Sequence, residues 1–305
     1  MKQLRKLYKL LTSSNYRFNI LANYGFFNHW ADEKYLKRKF KSVFGYELDL
    51  DNPQTFNEKL QWLKLHDRNP LYTTLVDKYA VKQWVADKIG SQYIIPTLGV
   101  WNSPNEIDFD KLPTQFALKC NHNSGLGMCI CKDKSKLDIK QVKKELEKGL
   151  KQDYYLTNRE WPYKNVPRKI IAEQFMVDDK TQELRDYKFM CFNGQAKCCF
   201  VCTDRFSQQG LKVTFYDNNW QLMPFERHYA RCPTSLNRPF NYDKMLNLAG
   251  KLSQNIPFVR VDFYSVKGNI YFGELTFYPG AGLEKFNPFE WDKKIGDWLI
   301  LPKIR

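Results

Sequence analysis

The fold is decided by one stretch of the sequence, VRVDFYSVKGNIYFGELTF at residues 259–277. Runs rich in β-branched and aromatic residues flank Lys267-Gly268-Asn269, which predicts an antiparallel hairpin with a three-residue turn. In that hairpin Val266 pairs with Ile270. Because side chains alternate between the faces of a strand, one face is apolar and is expected to join the core. That face carries Val259, Val261, Phe263, Gly273 and Leu275.

The other face of the hairpin brings two carboxylates together. In this register Asp262 lies directly opposite Glu274, and Arg260 lies opposite Thr276. Two like charges about 5 Å apart are expected to repel each other. A bound Mg²⁺, which prefers oxygen ligands, would relieve the repulsion. Neutralisation by Arg260 alone is the alternative, and the pattern leaves both open.

The remaining pattern predicts an α+β protein with mostly antiparallel strands. Helices are predicted over residues 32–44, 55–65, 77–89, 136–152 and 242–255. Strands are predicted over residues 116–120, 128–131, 169–176, 186–192, 195–202 and 212–216, besides the hairpin. A polar loop at 121–127 joins the first two strands and can offer backbone N–H groups to a phosphate.

The composition is that of a folded protein. The chain has 305 residues, 43% of them hydrophobic, which is enough for one large or two moderate domains. No apolar run approaches the ~20 residues that span a bilayer, and no complete signal-peptide pattern occurs, so a cytoplasmic protein is expected. The eight cysteines lack the paired spacing of a zinc site and are interpreted as reduced core residues.

The net charge of +15 indicates an anionic partner without identifying it. Nucleic acid is not expected as a partner, because Lys and Arg are spread along the chain and no binding motif accompanies them. A polyanionic substrate and an anionic membrane surface both remain open. Residues 1–11 form a basic amphipathic helix in this interpretation, which can lie at the inner face of the membrane or cap the fold.

The order of the charged motifs resembles the ATP-grasp superfamily. Arg260-x-Asp262, followed twelve residues later by Glu274 and then by the loop at 279–280, resembles the Mg²⁺-binding end of these enzymes. The resemblance therefore implies that Asp262, Glu274 and Thr276 bind the metal. Thr276 stands where these enzymes usually have Asn, and its hydroxyl can still bind a metal or a phosphate oxygen.

Three short sequence segments resemble the TupA-like branch of that superfamily, and the resemblance extends over about residues 50–300. The segments that carry it are FNEKLQW at 56–62, LKCNH at 118–122 and FGELTF at 272–277. The implied fold is α+β, with two α+β subdomains that clasp ATP behind a helical N-terminal region. The expected limits are 1–75 for that region and 76–305 for the ATP-grasp domain, with a nucleotide-binding subdomain at about 116–172 and a metal-binding subdomain at 173–305.

The resemblance also implies roles for individual residues. Nucleotide-binding residues are expected at Lys78, Lys119, Asn123, Ser124, Gly125, Glu173, Phe175, Met176 and Asp186. In these roles the lysines contact phosphates, residues 123–125 form the glycine-rich flap, residues 173–176 receive adenine and Asp186 meets the ribose. Catalytic roles are expected for Arg260, Lys188 and His122, of which His122 has capping of a backbone group as an equal alternative.

The implied activity is an ATP- and Mg²⁺-dependent carboxylate–amine ligase that forms an amide through an acyl phosphate. The TupA-like branch is associated with teichuronopeptide and capsular polysaccharide synthesis in bacteria. The expected partners are therefore the carboxylate of an acidic sugar or glycan and an amine or amino acid. A glycosyltransferase of polysaccharide synthesis is the alternative. Aromatic residues at 154–155 and 161–163 are read either as a sugar-stacking platform or as core.

Overall fold

The computed structural model describes residues 8–177, 184–204 and 210–303, and within them the chain is α+β as predicted. Its helices are α1 (Ser14–Asn23), α2 (Asp32–Phe44), α3 (Phe56–His66), α4 (Leu71–Val76), α5 (Val81–Ile89), α6 (Ile139–Lys151), α7 (Tyr154–Asn158), α8 (Tyr242–Leu252) and α9 (Glu290–Asp297). Its strands are β1 (Thr97–Trp101), β2 (Phe116–Cys120), β3 (Met128–Cys131), β4 (Ile170–Gln174), β5 (Asp186–Phe192), β6 (Gln195–Thr203), β7 (Lys212–Asp217), β8 (Glu226–Arg227), β9 (Phe258–Val266), β10 (Asn269–Thr276) and β11 (Phe286–Asn287). No helix in these ranges is both long enough and apolar enough to cross a membrane.

Two antiparallel sheets form the framework. The small sheet has the strand order β1-β4-β2-β3 and the large sheet has the order β10-β9-β5-β6-β7, while β8 and β11 form a short pair of their own. The sequence did not indicate β1, which pairs along β4. Helix α6 packs its apolar stripe on the small sheet, with Val142 and Leu146 against Phe116 and Leu118. Helix α8 packs on the large sheet.

The hairpin β9–β10 turns in two residues rather than three. Val266 pairs with Asn269, so only Lys267 and Gly268 form the turn. Both turn residues have positive φ, 51° and 78°, as a type I′ turn requires. The twist of such a turn matches the right-handed twist of the two strands. The predicted pairing of Val266 with Ile270 is therefore wrong by one residue.

A β-bulge further along the hairpin shifts the register back. The shift falls at Gly273 and Glu274, which together lie opposite Asp262. The expected one-to-one pairing of Asp262 with Glu274 is therefore wrong. The expected pairing of Arg260 with Thr276 is confirmed, because the bulge adds the residue that the shorter turn removes.

The main core lies around the large sheet and includes helices that precede residue 76. Phe56, Leu60, Tyr72 and Leu75 of α3 and α4 belong to the same apolar cluster as the sheet. A separate, smaller cluster holds α1 and α2 together through Phe18, Tyr35, Leu36, Phe40 and Leu48. The region expected at 1–75 thus consists of two parts. Helices α1 and α2 form a small cluster of their own, whereas α3 and α4 pack into the core of the large sheet.

The loop between β2 and β3 is held close to helix α6 by two glycines. A Cβ on Gly149 would lie 2.6 Å from the Cα of Gly127 and 2.7 Å from the Sγ of Cys120. Gly127 also has positive φ, 64°, which favours glycine on conformational grounds. The backbone of the loop therefore rests directly on the helix.

We expect Gly149→Ala to destabilise the protein by about 1–3 kcal/mol, because the added methyl group overpacks this contact. Gly250 is the matched control, since it is also a helical glycine but has only the Gly194 carbonyl oxygen near its Cβ position, at 3.9 Å. Gly250→Ala should stabilise the protein by about 0.5–1 kcal/mol through helix propensity. Urea unfolding of both variants measures the difference. Equal effects of the two substitutions would contradict the close contact at Gly149.

Candidate functional site

Arg260 links the two carboxylates of the hairpin. Its Nε donates to Oδ1 of Asp262 and its Nη2 to Oδ2, both at 2.7 Å, in a bidentate pair. The same Nη2 donates to Oε1 of Glu274 at 2.7 Å. Because the guanidinium lies between the two carboxylates, it offsets the expected repulsion between them, although burial and, after it, Glu274 still raise the pKa of Asp262. The alternative, neutralisation by Arg260, describes this arrangement.

Lys188 adds a second cation on the other side of Asp262. The two residues are directly paired between β5 and β9, and the ammonium of Lys188 donates to Oδ2 of Asp262. Its Nζ also lies 3.5 Å from Oδ2 of Asp186. Burial by itself would lower the pKa of Lys188, but Asp262 raises it above its ordinary value. Lys188 is therefore charged, and Asp262, only 1% exposed, is balanced by two cations.

Glu274 is a half-exposed carboxylate whose pKa is lowered by cations from different parts of the chain. Its side chain is 43% exposed. Burial of the carboxyl would raise its pKa, but four cations hold the pKa down at about 2: Arg260, Lys188, Lys78 and Lys119. Arg260 and Lys188 belong to the large sheet. Lys119 lies on β2 of the small sheet, and Lys78 lies just before α5. The candidate site therefore lies between the two sheets.

Glu173 is held by two lysines rather than left free. Its Oε1 lies 2.7 Å from the Nζ of Lys82, and its Oε2 lies 2.5 Å from the Nζ of Lys119. Burial would raise the pKa of Glu173, but these lysines lower it. Lys82 was missed in the sequence, although it lies within the helix predicted over residues 77–89. Glu173 thus positions Lys119 beside the site.

The loop at 121–127 divides into a fixed part and an open part. The amide of Asn123 donates to the Gly149 carbonyl at 3.1 Å, and the Asn123 carbonyl accepts a hydrogen bond from the ammonium of Lys78. Ser124 and Gly125 are exposed, and Gly125 has a φ of 88°. The structure therefore places residues 124 and 125 where a ligand can reach them, whereas the Asn123 side chain anchors the loop.

His122 lies in the capping position that was its alternative. It is only 2% exposed, and its Nε2 lies 3.1 Å from the carbonyl oxygen of Gln152, the residue after α6. Burial lowers the pKa of His122, which favours the neutral ring. The ring is therefore buried against the end of helix α6, as the capping alternative expects, while the nearby charge of Lys78 also contributes to lowering its pKa.

Of the other residues expected to bind the nucleotide or metal, Asp186 and Thr276 contact the charge network, whereas Phe175 and Met176 are placed only by their position after β4. Phe175 and Met176 follow β4 and are half-buried. Asp186 contributes to the charge network through Lys188, and the hydroxyl of Thr276 donates weakly to Oε1 of Glu274 at 3.4 Å. Within the described ranges, no group of three or more His, Cys, Asp and Glu side chains is arranged to hold a metal ion.

Helix α3 fixes the loop that follows β10, a role that the sequence did not reveal. Gln61 and Lys64 both donate to the carbonyl of Ala281, at 3.1 and 2.8 Å. Gln61 also donates to the carbonyl of Gly282 at 2.8 Å, and Lys64 donates to the carbonyl of Asn158 at 2.9 Å. Ala281 has a φ of 56°, which costs a non-glycine residue energy and needs such support. The buried polar face of α3 therefore holds this loop to the segment after α7.

The aromatic residues around 154–163 divide into two that belong to the core and two that are half-buried. Tyr155 and Trp161 are 7% and 9% exposed and belong to the core. Tyr154 and Tyr163 are half-buried, with ring centroids 4.8 Å apart. Burial, followed by the charges of Glu160 and Glu274, raises the pKa of the Tyr154 hydroxyl, so this ring borders the site.

We expect Asp262→Asn to lower the free energy of unfolding by about 3–5 kcal/mol, because it leaves Arg260 and Lys188 buried with their shared charge partner removed. The matched control is Asp243→Asn, since Asp243 pairs with Arg238 at 2.5 Å but its side chain is 74% exposed. An exposed pair contributes at most about 1 kcal/mol. Urea unfolding of the two variants tests this, and an unchanged stability for Asp262→Asn would contradict the charge balance described here.

Comparison with known proteins gives one family and a group of similar folds. Residues 58–300 match the family model described as TupA-like ATPgrasp. No curated protein matches the sequence significantly. Similar solved structures include D-alanine–D-alanine ligase from Bacillus anthracis complexed with ATP, at 13% identity and a TM-score of 0.41, covering 67% of this chain and 54% of that one. The D-alanine–D-alanine ligase from Helicobacter pylori has 14% identity and a TM-score of 0.44, covering 81% and 70%. The ATP-grasp ligase PsnB, complexed with minimal precursor, Mg and ADP, has 12% identity and a TM-score of 0.40, covering 92% and 72%. The chain thus spans about half the length of the first of these structures.

Proposed function

The chain belongs to the TupA-like ATP-grasp family, and we propose that it is an ATP-dependent carboxylate–amine ligase that forms an amide through an acyl phosphate. The predictions of the family and of an ATP-grasp fold are confirmed by that match. The observation that carries the proposed activity is the convergence of Lys78, Lys119, Lys188 and Arg260 around Glu274. Three cations from the two sheets, together with Lys78 just before α5, suit a substrate with several phosphate charges.

The residues supply the parts that such a reaction needs. Phosphoryl transfer to a carboxylate requires that the charge on the phosphate oxygens be neutralised and that the reactants be held in line, and it requires no nucleophile from the protein. In this proposal Lys78 and Lys119 hold the phosphates, with the exposed backbone at residues 124–125 beside them. Arg260 and Lys188 stabilise the transferring group and the acyl phosphate.

The donor set suits Mg²⁺ bound together with a nucleotide. Mg²⁺ in such sites is held by one or two carboxylates plus substrate phosphates rather than by a full protein cage. The half-exposed Glu274 offers oxygen ligands, and Oδ1 of Asp262, which accepts a hydrogen bond from Arg260, retains a further lone pair. Asp262, Glu274 and Thr276 would hold the ion, which supplies charge neutralisation at the phosphate oxygens.

We extend the proposal to the substrate and place the nucleotide along residues 173–176. The carboxylate would come from a uronic acid of a bacterial surface or capsular polysaccharide, and the amine from an amino acid or other amine. This rests on the association of the TupA-like branch with such polymers and on the net charge of +15, which suits an acidic glycan. The half-buried Phe175 and Met176 would contact adenine, and Asp186 would face the ribose.

We expect the wild-type protein to release phosphate from ATP only when Mg²⁺, a uronate such as D-glucuronate or D-galacturonate, and an amine such as glycine are all present. Lys119→Ala should weaken ATP binding by about 1–3 kcal/mol, the contribution of a charge-assisted hydrogen bond. Lys111→Ala is the control, because the Lys111 side chain is 85% exposed and lies outside the site. Calorimetry with ATP and a phosphate-release assay measure both.

Two outcomes would contradict the proposed function. Consumption of a UDP-sugar without ATP would favour a glycosyltransferase, and Mg²⁺-dependent ATP turnover that ignores both carboxylate and amine would exclude a ligase. Equal ATP affinity of Lys119→Ala and Lys111→Ala would remove Lys119 from the nucleotide site.

We also propose that residues 1–11 bring the enzyme to the inner face of the membrane. Residues 1–7 lie outside the described residues, and residues 8–12 are helical. Tyr8 and Leu11 are 68% and 70% exposed, so this part of the apolar stripe does not pack against the protein. Exposed apolar side chains beside Lys9 suit an anionic lipid surface.

Removal of residues 1–11 should abolish sedimentation with vesicles that contain phosphatidylglycerol, while ATP turnover with soluble substrates persists. Binding of the full chain should weaken as salt rises, because the attraction is partly electrostatic. Vesicle binding that survives the deletion, or a shortened chain that no longer folds, would contradict a membrane role for this segment.

A further inference from the structure

Glu160 is a buried carboxylate that no described side chain pairs with directly. It lies between α7 and the turn Trp161–Tyr163 and is only 5% exposed. In the part of the chain that the structure describes, it takes part in no ion pair within 4.0 Å and accepts no side-chain hydrogen bond. The nearby ammonium of Lys64 donates instead to Gln61 and to the carbonyls of Asn158 and Ala281. Buried carboxylates are almost always paired, so Glu160 needs an explanation.

The segment that carries Glu160 is fastened to the strand that carries Glu274. The indole of Trp161 donates to the hydroxyl of Tyr278 at 3.2 Å, two residues after the end of β10. Lys64 fastens the same two segments together, from Asn158 to Ala281. Glu160 is thereby held beside the end of β10, where the cationic site begins.

The charged groups that act on Glu160 agree with this position. The cations are Lys64 on α3 and Arg260 on β9, and the tyrosines Tyr154, Tyr163 and Tyr278 come from three further segments. Burial raises the pKa of Glu160 well above its ordinary value, although both cations oppose the rise. A carboxylate whose pKa has been moved towards neutrality can both accept and release a proton at neutral pH.

We propose that Glu160, bordered by Tyr154 and Tyr163, is the subsite that receives the amine substrate as its ammonium cation and removes its proton. This inference rests on the proposed ligase activity. A cation is the ligand that an unpaired buried carboxylate favours, and two tyrosine rings add attraction for it. The proximity of Arg260 places this subsite next to the acyl phosphate rather than at the adenine end, where Glu173 is occupied by Lys82 and Lys119.

In the proposed step, proton transfer to Glu160 precedes attack on the acyl phosphate. The ammonium gives one proton to the Glu160 carboxylate and becomes a neutral amine. The amine nitrogen then attacks the carbonyl carbon of the acyl phosphate, so that the C–N bond forms. The C–O bond to phosphate breaks, its electron pair leaves with the phosphate, and the second proton of the amine goes to that phosphate.

Hydroxylamine separates this role from a structural one. It is a far weaker base than an alkylamine and is uncharged at neutral pH, so its attack needs no prior loss of a proton. With ATP, Mg²⁺ and D-glucuronate, Glu160→Gln should lower kcat/KM for amide formation with glycine by about 100-fold or more, the contribution of general-base catalysis. Hydroxamate formation with hydroxylamine should stay near the wild-type rate. Asp292→Asn is the control, because Asp292 is also a buried carboxylate but binds Asn57 outside the site, and it should affect both nucleophiles equally.

A pH profile of the wild-type protein tests the same role without relying on the folding of a variant. If Glu160 deprotonates the bound ammonium, kcat/KM for glycine levels off near neutral pH. A rate that keeps rising up to the pKa of glycine's own amino group would overturn the proposal. Equal losses with glycine and hydroxylamine in Glu160→Gln would overturn it as well. Failure of the wild-type protein to form a product with either glycine or hydroxylamine would instead overturn the proposed ligase activity, and this inference with it.

Discussion

The structure depends on how one buried carboxylate is balanced. Asp262 is almost fully buried, and a lone charge in that position would cost several kcal/mol. Arg260 and Lys188 balance it through hydrogen bonds from two neighbouring strands. The pairing of β5 with β9 places Lys188 opposite Asp262, so the charge balance and the strand register support each other. The same pairing brings both cations to one carboxylate on the large sheet.

The candidate site is defined by charges that belong to different parts of the chain. Lys78 and Lys119 lie on the small-sheet side, and their positions are set by hydrogen bonds to the loop carbonyl of Asn123 and to Glu173. Both act on Glu274, which lies on the large sheet. A site of this kind attracts a polyanion before any single contact forms, because several cations raise the local potential together. The arrangement suits phosphate chemistry in which the protein contributes position and charge.

Buried polar residues on α3 join the loop after β10 to the end of α7. Gln61 and Lys64 are completely buried. They donate hydrogen bonds to carbonyls of the loop after β10 and of the last residue of α7. Helix α3 therefore supports the loop after β10 with its polar face, while its apolar residues Phe56 and Leu60 join the core of the large sheet. Glu160 lies beside these contacts, where no described side chain pairs with it directly.

The sequence alone determined the elements and the chemical types at the site. Alternation and turn residues predicted α2, β2, β3 and β5 with the limits that the structure has, since these patterns reflect local geometry. The hairpin could be predicted as a hairpin, and Arg260, Asp262 and Glu274 could be assigned to one face. The family, too, was recognisable from these motifs and from their order along the chain.

Only the tertiary structure decided which charges meet. The bulge at Gly273 and Glu274 and the two-residue turn both depend on twist and on pairing with β5, and so the exact partner of Asp262 could not be read from the hairpin. Contacts between distant residues could not be predicted either, such as the pairing of Glu173 with Lys82 and the contact of His122 with Gln152. The burial of Glu160 likewise depends on elements that only folding brings together. Periodicity shows which face a side chain occupies, but the energy of a buried charge depends on neighbours that only folding brings within reach.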